Sequence, residues 1–195
     1  MPKKHRLRIF SYLNVGLAYT SLVVMWKYVR VWWLSLLLSP LVGLGTYLLA
    51  CYIVGDKFAW PRRSALFQYS DIKKRFLRES FQNIYNCFSE EMLYRLLIQN
   101  VLFLLTESAV LSILIGSAYF AGVHFIRKRA IVQMIDLTIL AILLSVIYHF
   151  TKDIAALFII HLVRNQFVIF DKYMCESKKR TRARKILKIM RSNPT

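Results

Sequence analysis

The chain contains several apolar runs long enough to cross a bilayer, and clusters of Lys and Arg punctuate them. A spanning helix needs roughly 20 mostly apolar residues. In lipid every backbone N–H and C=O must be satisfied within the segment, which leaves helices or a closed barrel as solutions. Continuous runs of this length read as helices, so the expected class is all-α, a polytopic transmembrane bundle. The spacing predicts about six spans: Ile9–Trp26, Val31–Val54, Ile84–Leu105, Ser108–Ile126, Ala130–Phe150 and Ile154–Phe170. Pro40 and the Gly43/Gly45 pair interrupt the second span, as a kink or a point of close helix approach.

Charge tests this division. The net charge is +18 over 195 residues. On a soluble face it would suggest nucleic acid. Here the cations lie between apolar runs, which points to membrane topology and anionic lipid headgroups and away from a nucleic-acid partner. With six spans, the N-terminal arm, the loop after span two, Arg127–Arg129 and the tail share one side. They hold 23 of the 28 Lys and Arg residues; Lys27, Arg30 and Lys152 fall opposite. The expected location is therefore the cell membrane, multi-pass, with both termini cytoplasmic. The basic start before Ile9 could open a signal peptide, but the run is span-length and lacks a small-residue cleavage site, so a retained helix is expected.

Three regions follow: 1–83, two helices and a basic segment; 84–171, a four-helix core; and 172–195, a basic tail. Within Phe58–Asn83, Phe67, Ile72, Phe76, Leu77 and Phe81 recur at near-helical spacing, which suggests an amphipathic helix on the cytoplasmic leaflet. The tail reads as a membrane-touching helix or a disordered arm. There is no internal repeat. Cys51, Cys87 and Cys175 form no CxxC pair and no zinc spacing, and read as free thiols.

An ionisable group inside a span costs at least a few kcal/mol and needs a partner or a function. That rule selects Glu90, Glu91, Arg95, His124, His161 and Arg164, with Asp136 and the amide of Asn165. Glu91 and Arg95, Phe120 and His124, and His161 and Asn165 are each four apart, so each pair shares a helix face. Antiparallel helices bring all three sets to the cytoplasmic half of the bundle. Arg164 is expected to snorkel or meet an acidic headgroup, and Asp136 to cap or pair. Glu107 is expected in a short outer loop, His149 at an interface and His5 in the solvated arm.

Three motifs stand in order: Glu90-Glu91-Met-Leu-Tyr-Arg95, Phe120-Ala-Gly-Val-His124 and His161-Leu-Val-Arg-Asn165. Over about Ile84–Phe170 the chain resembles the CAAX-protease and bacteriocin-processing (CPBP, or Abi) family of intramembrane proteases, whose signatures are EExxxR, FxxxH and HxxxN. Many members carry Gly after the motif arginine, where this chain has Leu96. The resemblance implies an endopeptidase acting on a peptide, a lipoprotein or another membrane-associated substrate. Glu90 and His124 would activate water, His161 and Asn165 would bind the oxyanion, and Arg95 would hold Glu91. Zinc on Glu90, His124 and His161 is a competing arrangement, although there is no HExxH. Two other functions compete: acyl transfer in lipoprotein N-acylation, as in some CPBP-like proteins, and a non-enzymatic immunity or scaffold role beside a membrane protein partner. The same residues taken singly also fit structural ion pairs and polar clasps between helices.

Overall fold

A computed structural model describes residues 16, 20, 33–54, 69–125 and 131–192. All of the first expected span but residues 16 and 20, the arm with His5, Phe58–Gln68 and Arg127–Arg129 lie outside them. Among the described residues the regular structure is helical: α1 (Trp33–Val54), α2 (Ser70–Glu91), a π-helical segment (Met92–Gln99), α3 (Asn100–Thr106), α4 (Ala109–Phe125), α5 (Ile131–Thr151) and α6 (Ile154–Ser192). Three helices are long and apolar enough to cross a membrane: Trp33–Ile53, Gln133–Thr151 and Ile154–Arg184. The apolar helix Ala109–His124 is shorter. Among the described residues this is an all-α bundle of multi-pass membrane character, in which three to four spans are indicated and not six. The expected span Ile84–Leu105 is missing from the long apolar helices for a physical reason. Glu90, Glu91 and Arg95 interrupt it, and they are tolerated because they face protein and not lipid.

Two tight turns join helices at one end of the bundle. Glu107 and Lys152 both adopt left-handed backbone, φ 52° and 55°. Each returns its N–H to the preceding helix, Glu107 to the Phe103 carbonyl and Lys152 to the Tyr148 carbonyl, at 2.8 Å in both cases. Asp153 then caps α6: its Oδ1 accepts the Ala156 N–H at 3.0 Å, and its Oδ2 accepts the Ser35 hydroxyl of α1. His149 packs edge-on to Phe103 and Phe150 at this end.

The main apolar core joins Met92 and Leu96 of the π segment to Leu140, Leu144 and Tyr148 of α5 and Leu157 and Ile160 of α6. Outward residues such as Leu37, Leu41, Leu105 and Phe150 are exposed, which suits a surface solvated by lipid tails. At the other end α2 and α6 form an antiparallel extension. Ile72, Tyr173 and Met174 are buried between them, and Arg75–Glu176, Arg180–Asp71 and Lys172–Glu79 pair along the rims. Arg180 holds the Asp71 carboxyl below the usual carboxylate range. The amphipathic stretch around Ile72 and Phe76 thus finds its apolar partner in α6, with Phe76 packed edge-on to Phe170 and Tyr173. The basic segment after Lys172 is helical as far as Ser192 and continuous with the last apolar span.

Of the glycines expected to admit a close neighbour, Gly43 does so and Gly45 faces open space. A Cβ at Gly43 would lie 2.8 Å from the Ile160 carbonyl and 2.9 Å from Val163 Cβ. Pro40 sits within the continuous helix α1. Gly43→Ala must therefore push α1 off α6. Overpacking of this kind costs about 1–3 kcal/mol, so the variant is expected to unfold at lower temperature in detergent, while Gly45→Ala matches the parent.

Candidate functional site

Glu90 and Glu91 close α2, and adjacent helix positions diverge by about 100°. Glu91 turns into the protein, with 1 % of its side chain exposed, while Glu90 reaches the cavity with 25 % exposed. The π segment that follows, bonded i→i+5, buries Met92, Tyr94, Arg95, Leu96 and Gln99. Such segments are rare and often occur at functional sites.

Glu91 Oε1 lies 2.7 Å from His161 Nδ1. Its other oxygen is 3.5 Å from Arg95 Nε, an ion pair too long for a good hydrogen bond. The expected Glu91–Arg95 pair is therefore present, but the short bond of Glu91 goes to His161. Arg95 is fully buried and faces the Phe120 ring, 5.4 Å from its centroid. Phe120 also stacks on His124 at 4.4 Å, as the four-residue spacing predicts. His124 Nδ1 is 2.8 Å from the Phe120 carbonyl.

These bonds fix the roles of the ring nitrogens. A carbonyl and a carboxylate can only accept, so Nδ1 of each histidine carries a proton. Each Nε2 then points toward Glu90: His124 at 3.7 Å from Oε1 and His161 at 3.6 Å from Oε2. Separations beyond about 3.5 Å suit an interposed water better than a direct bond. A cavity of about 390 Å³ adjoins this point. Glu90, His124, His161 and Asn165 line it, together with Asp136 and Arg164. Four expected residues thus share one cavity wall, while Glu91 and Arg95 stand behind it.

The zinc arrangement fares differently. The donor types suit zinc, and the two Nδ1 bonds resemble the outer contacts of ligating histidines. Zinc bonds of about 2.0–2.1 Å place tetrahedral ligand atoms roughly 3.3 Å apart, closer than these. Among the described residues no group of three or more His, Cys, Asp or Glu is arranged to hold a metal ion.

Several wall residues escape reasoning from motifs. Asn83 and Asn86 on α2 and Tyr47 and Cys51 on α1 line the cavity. Asn83, Asn86 and Glu90 fall at helical spacing, a stripe visible in the sequence; the contribution of α1 carries no such signal. Arg164 neither snorkels nor meets a headgroup. It is buried and donates from Nη2 to Asp136 on α5.

Residues 79–167 match the family described as Type II CAAX prenyl endopeptidase Rce1-like. Over those residues the chain belongs to the CAAX-protease (Abi/CPBP) superfamily. The match covers somewhat less than half the chain and nearly coincides with the stretch that holds the three motifs. It classes this CPBP chain as an enzyme, an intramembrane protease in general function, and the buried Glu91–His161 pair is consistent with a catalytic centre. No curated protein and no solved structure matches the chain.

The Glu91 contacts yield a stability test. Glu91→Ala strips Arg95 of its counterion in a fully buried position. Breaking such a pair costs roughly 3–5 kcal/mol. Purified yield and thermal midpoint are expected to fall sharply, whereas Glu90→Gln, at a partly exposed position, leaves both near the parent values.

Proposed function

We propose that this chain is an intramembrane endopeptidase in which Glu90 and His124 activate a water against a peptide carbonyl. The convergence of Glu90, His124 Nε2 and His161 Nε2 on one point beside a cavity carries this reading. Both imidazoles present a lone pair there when neutral, and a carboxylate also accepts. A water with two hydrogens satisfies two of these acceptors and exposes its own lone pair to substrate. Glu90 takes the proton as the oxygen attacks, and returns it to the departing amine. His161 donates from Nε2 when its ring holds both protons, a form in which Glu91 is its counterion. With the Asn165 amide it would stabilise the oxyanion. Arg95 faces the other oxygen of Glu91 in that arrangement.

The substrate class proposed is a peptide, lipidated or otherwise membrane-associated. The name of the matched family points first to a prenylated peptide with a CAAX end. Acyl transfer passes through the same kind of tetrahedral intermediate, but the hydrolytic reading is favoured because Glu90 and His124 Nε2, at water-bridging distance, suit a water. Glu90→Gln keeps size and removes the base, so turnover of a fluorescence-quenched prenyl peptide is expected to fall by about 10²–10⁴-fold with an unchanged thermal midpoint. Full turnover in that variant would move the scaffold role to first place.

The orientation proposed places the α2–α6 extension and both termini in the cytoplasm, as the positive-inside rule directs. The cavity then opens in the cytoplasmic half of the bundle, and anionic lipid meets the basic tail. In a background without Cys51 and Cys87, a membrane-impermeant thiol reagent is expected to reach Cys175 only after the cells are opened. A cysteine placed at Glu107 is expected to react in intact cells; the reverse pattern would overturn the orientation.

A further inference from the structure

Arg164 carries a charge into the apolar bundle, and its contacts go beyond those of an interhelical clasp. It is 3 % exposed, and Nη2 donates to Asp136. Nη1 donates to Oδ1 of its own neighbour, Asn165, at 3.0 Å. Adjacent helix positions diverge by about 100°, so this second bond requires the guanidinium to curl back along the cavity wall. The Asn165 Nδ2 group points away from the arginine, 3.5 Å from Cys87 Sγ on α2. Asp136, Arg164 and Asn165 all line the cavity that holds Glu90, His124 and His161.

An asparagine amide has two ends of nearly equal size and opposite hydrogen-bonding character, and its terminal torsion is broad and roughly two-fold. A guanidinium has five donors and no acceptor, so only the carbonyl end of Asn165 can face it. The NH₂ end is then turned from the arginine; one of its two hydrogens lies toward Cys87 Sγ, and the second remains to serve the cavity wall that Asn165 lines. A rotated amide would offer lone pairs to a developing negative oxygen and repel it. The cation also polarises the amide through its oxygen and strengthens the N–H as a donor. Asp136 ties down the other arm of the fork, which keeps the arginine beside Asn165.

We propose that Arg164, anchored by Asp136, is a positioning residue that sets the amide of Asn165 with Nδ2 as its cavity donor. The proposal rests on the reading of Asn165 as an oxyanion donor. It expects loss in kcat with KM nearly unchanged, because an oxyanion donor acts in the transition state and not in substrate binding.

The test is a double-mutant cycle on the full chain in detergent, with a fluorescence-quenched prenyl peptide ending in a CAAX sequence. Asn165→Ala alone is expected to lower kcat by roughly 10²–10³-fold. Arg164→Met is expected to lower kcat by at least about tenfold, bounded by the Asn165→Ala loss, and to have no further effect in the Asn165→Ala background. Arg164→Lys, which keeps a cationic donor, recovers part of the loss. Should Arg164→Met fail to accumulate because Asp136 is left unpaired, the double variant Asp136→Leu/Arg164→Met removes both charges, and the same dependence on Asn165 is expected of it. Losses that multiply with Asn165→Ala would overturn the proposal, as would wild-type kcat in Arg164→Met or in the double variant, while leaving Asn165 as oxyanion donor. Wild-type kcat in Asn165→Ala, or no cleavage by the parent chain, would instead remove the oxyanion reading and the positioning role with it.

Discussion

A carboxylate withdrawn from water must be met by hydrogen bonds or by opposite charge, and Glu91 imposes that condition on the centre of this bundle. One of its oxygens bonds His161 on α6, and the other faces the Arg95 guanidinium in the π segment as an ion pair. Arg95 in turn leans on the Phe120 ring of α4, and Phe120 supports the His124 ring beside it. One buried charge therefore ties together three stretches of chain, each of which supplies a cavity residue. The arrangement is costly in an apolar medium, since unpaired buried charge is far worse than paired. It also gives a single register: shifting α6 by one residue against α2 would take His161 away from Glu91.

The lengths of the helices follow from a second requirement. Ser70–Thr106 forms one helical rod through the π segment, and Ile154–Ser192 is another. At 1.5 Å per residue each exceeds the roughly 30 Å of bilayer hydrocarbon. The excess pairs with itself: apolar Ile72, Tyr173 and Met174 on the inside, alternating Arg and acid on the rims. The extension continues the helices that carry Glu90, His161 and Asn165, and a packed pair holds their relative rotation more firmly than two free ends would. Gly43 serves the same end on the other flank, where it lets α1 approach the stretch of α6 around Ile160 and Val163.

What the sequence disclosed is what depends on local pattern. Apolar length marked α1, α5 and α6, and the three four-residue motifs picked out the residues that meet at the cavity. The segment around Glu90–Arg95 was recognisable through its charges, although the same charges exclude it from the long apolar helices. The π geometry of Met92–Gln99 was hidden, because an i→i+5 ladder has no side-chain period distinct from its apolar surroundings. The preference of Glu91 for His161 was hidden as well: an i, i+4 arginine is visible in sequence, whereas a histidine 70 positions away on another helix is not. Arg164 shows the same limit. Its sequence position fitted a snorkelling side chain, and only the packing of α5 against α6 reveals Asp136 within reach.

Adjacency in sequence produces division of labour at both ends of the site. Glu90 and Glu91 are chemically alike, yet the turn of the helix sends one to the cavity and the other to the protein interior. The inner carboxylate is occupied by His161 and Arg95, so it cannot accept a proton from water without losing those bonds. The outer one faces two imidazole nitrogens at water-bridging distance. Arg164 and Asn165 repeat the pattern on α6: the charged member is taken up by Asp136, and the neutral one keeps its amide beside the cavity. In both doublets the member most expensive to bury is locked to a partner. The member left at the cavity is the one whose chemistry a peptide carbonyl requires, a base in one case and a neutral donor in the other. A single acidic residue could not do both jobs. If Glu90 had to anchor His161 and Arg95 as well as take a proton, each turnover would break the contacts that hold the bundle in register.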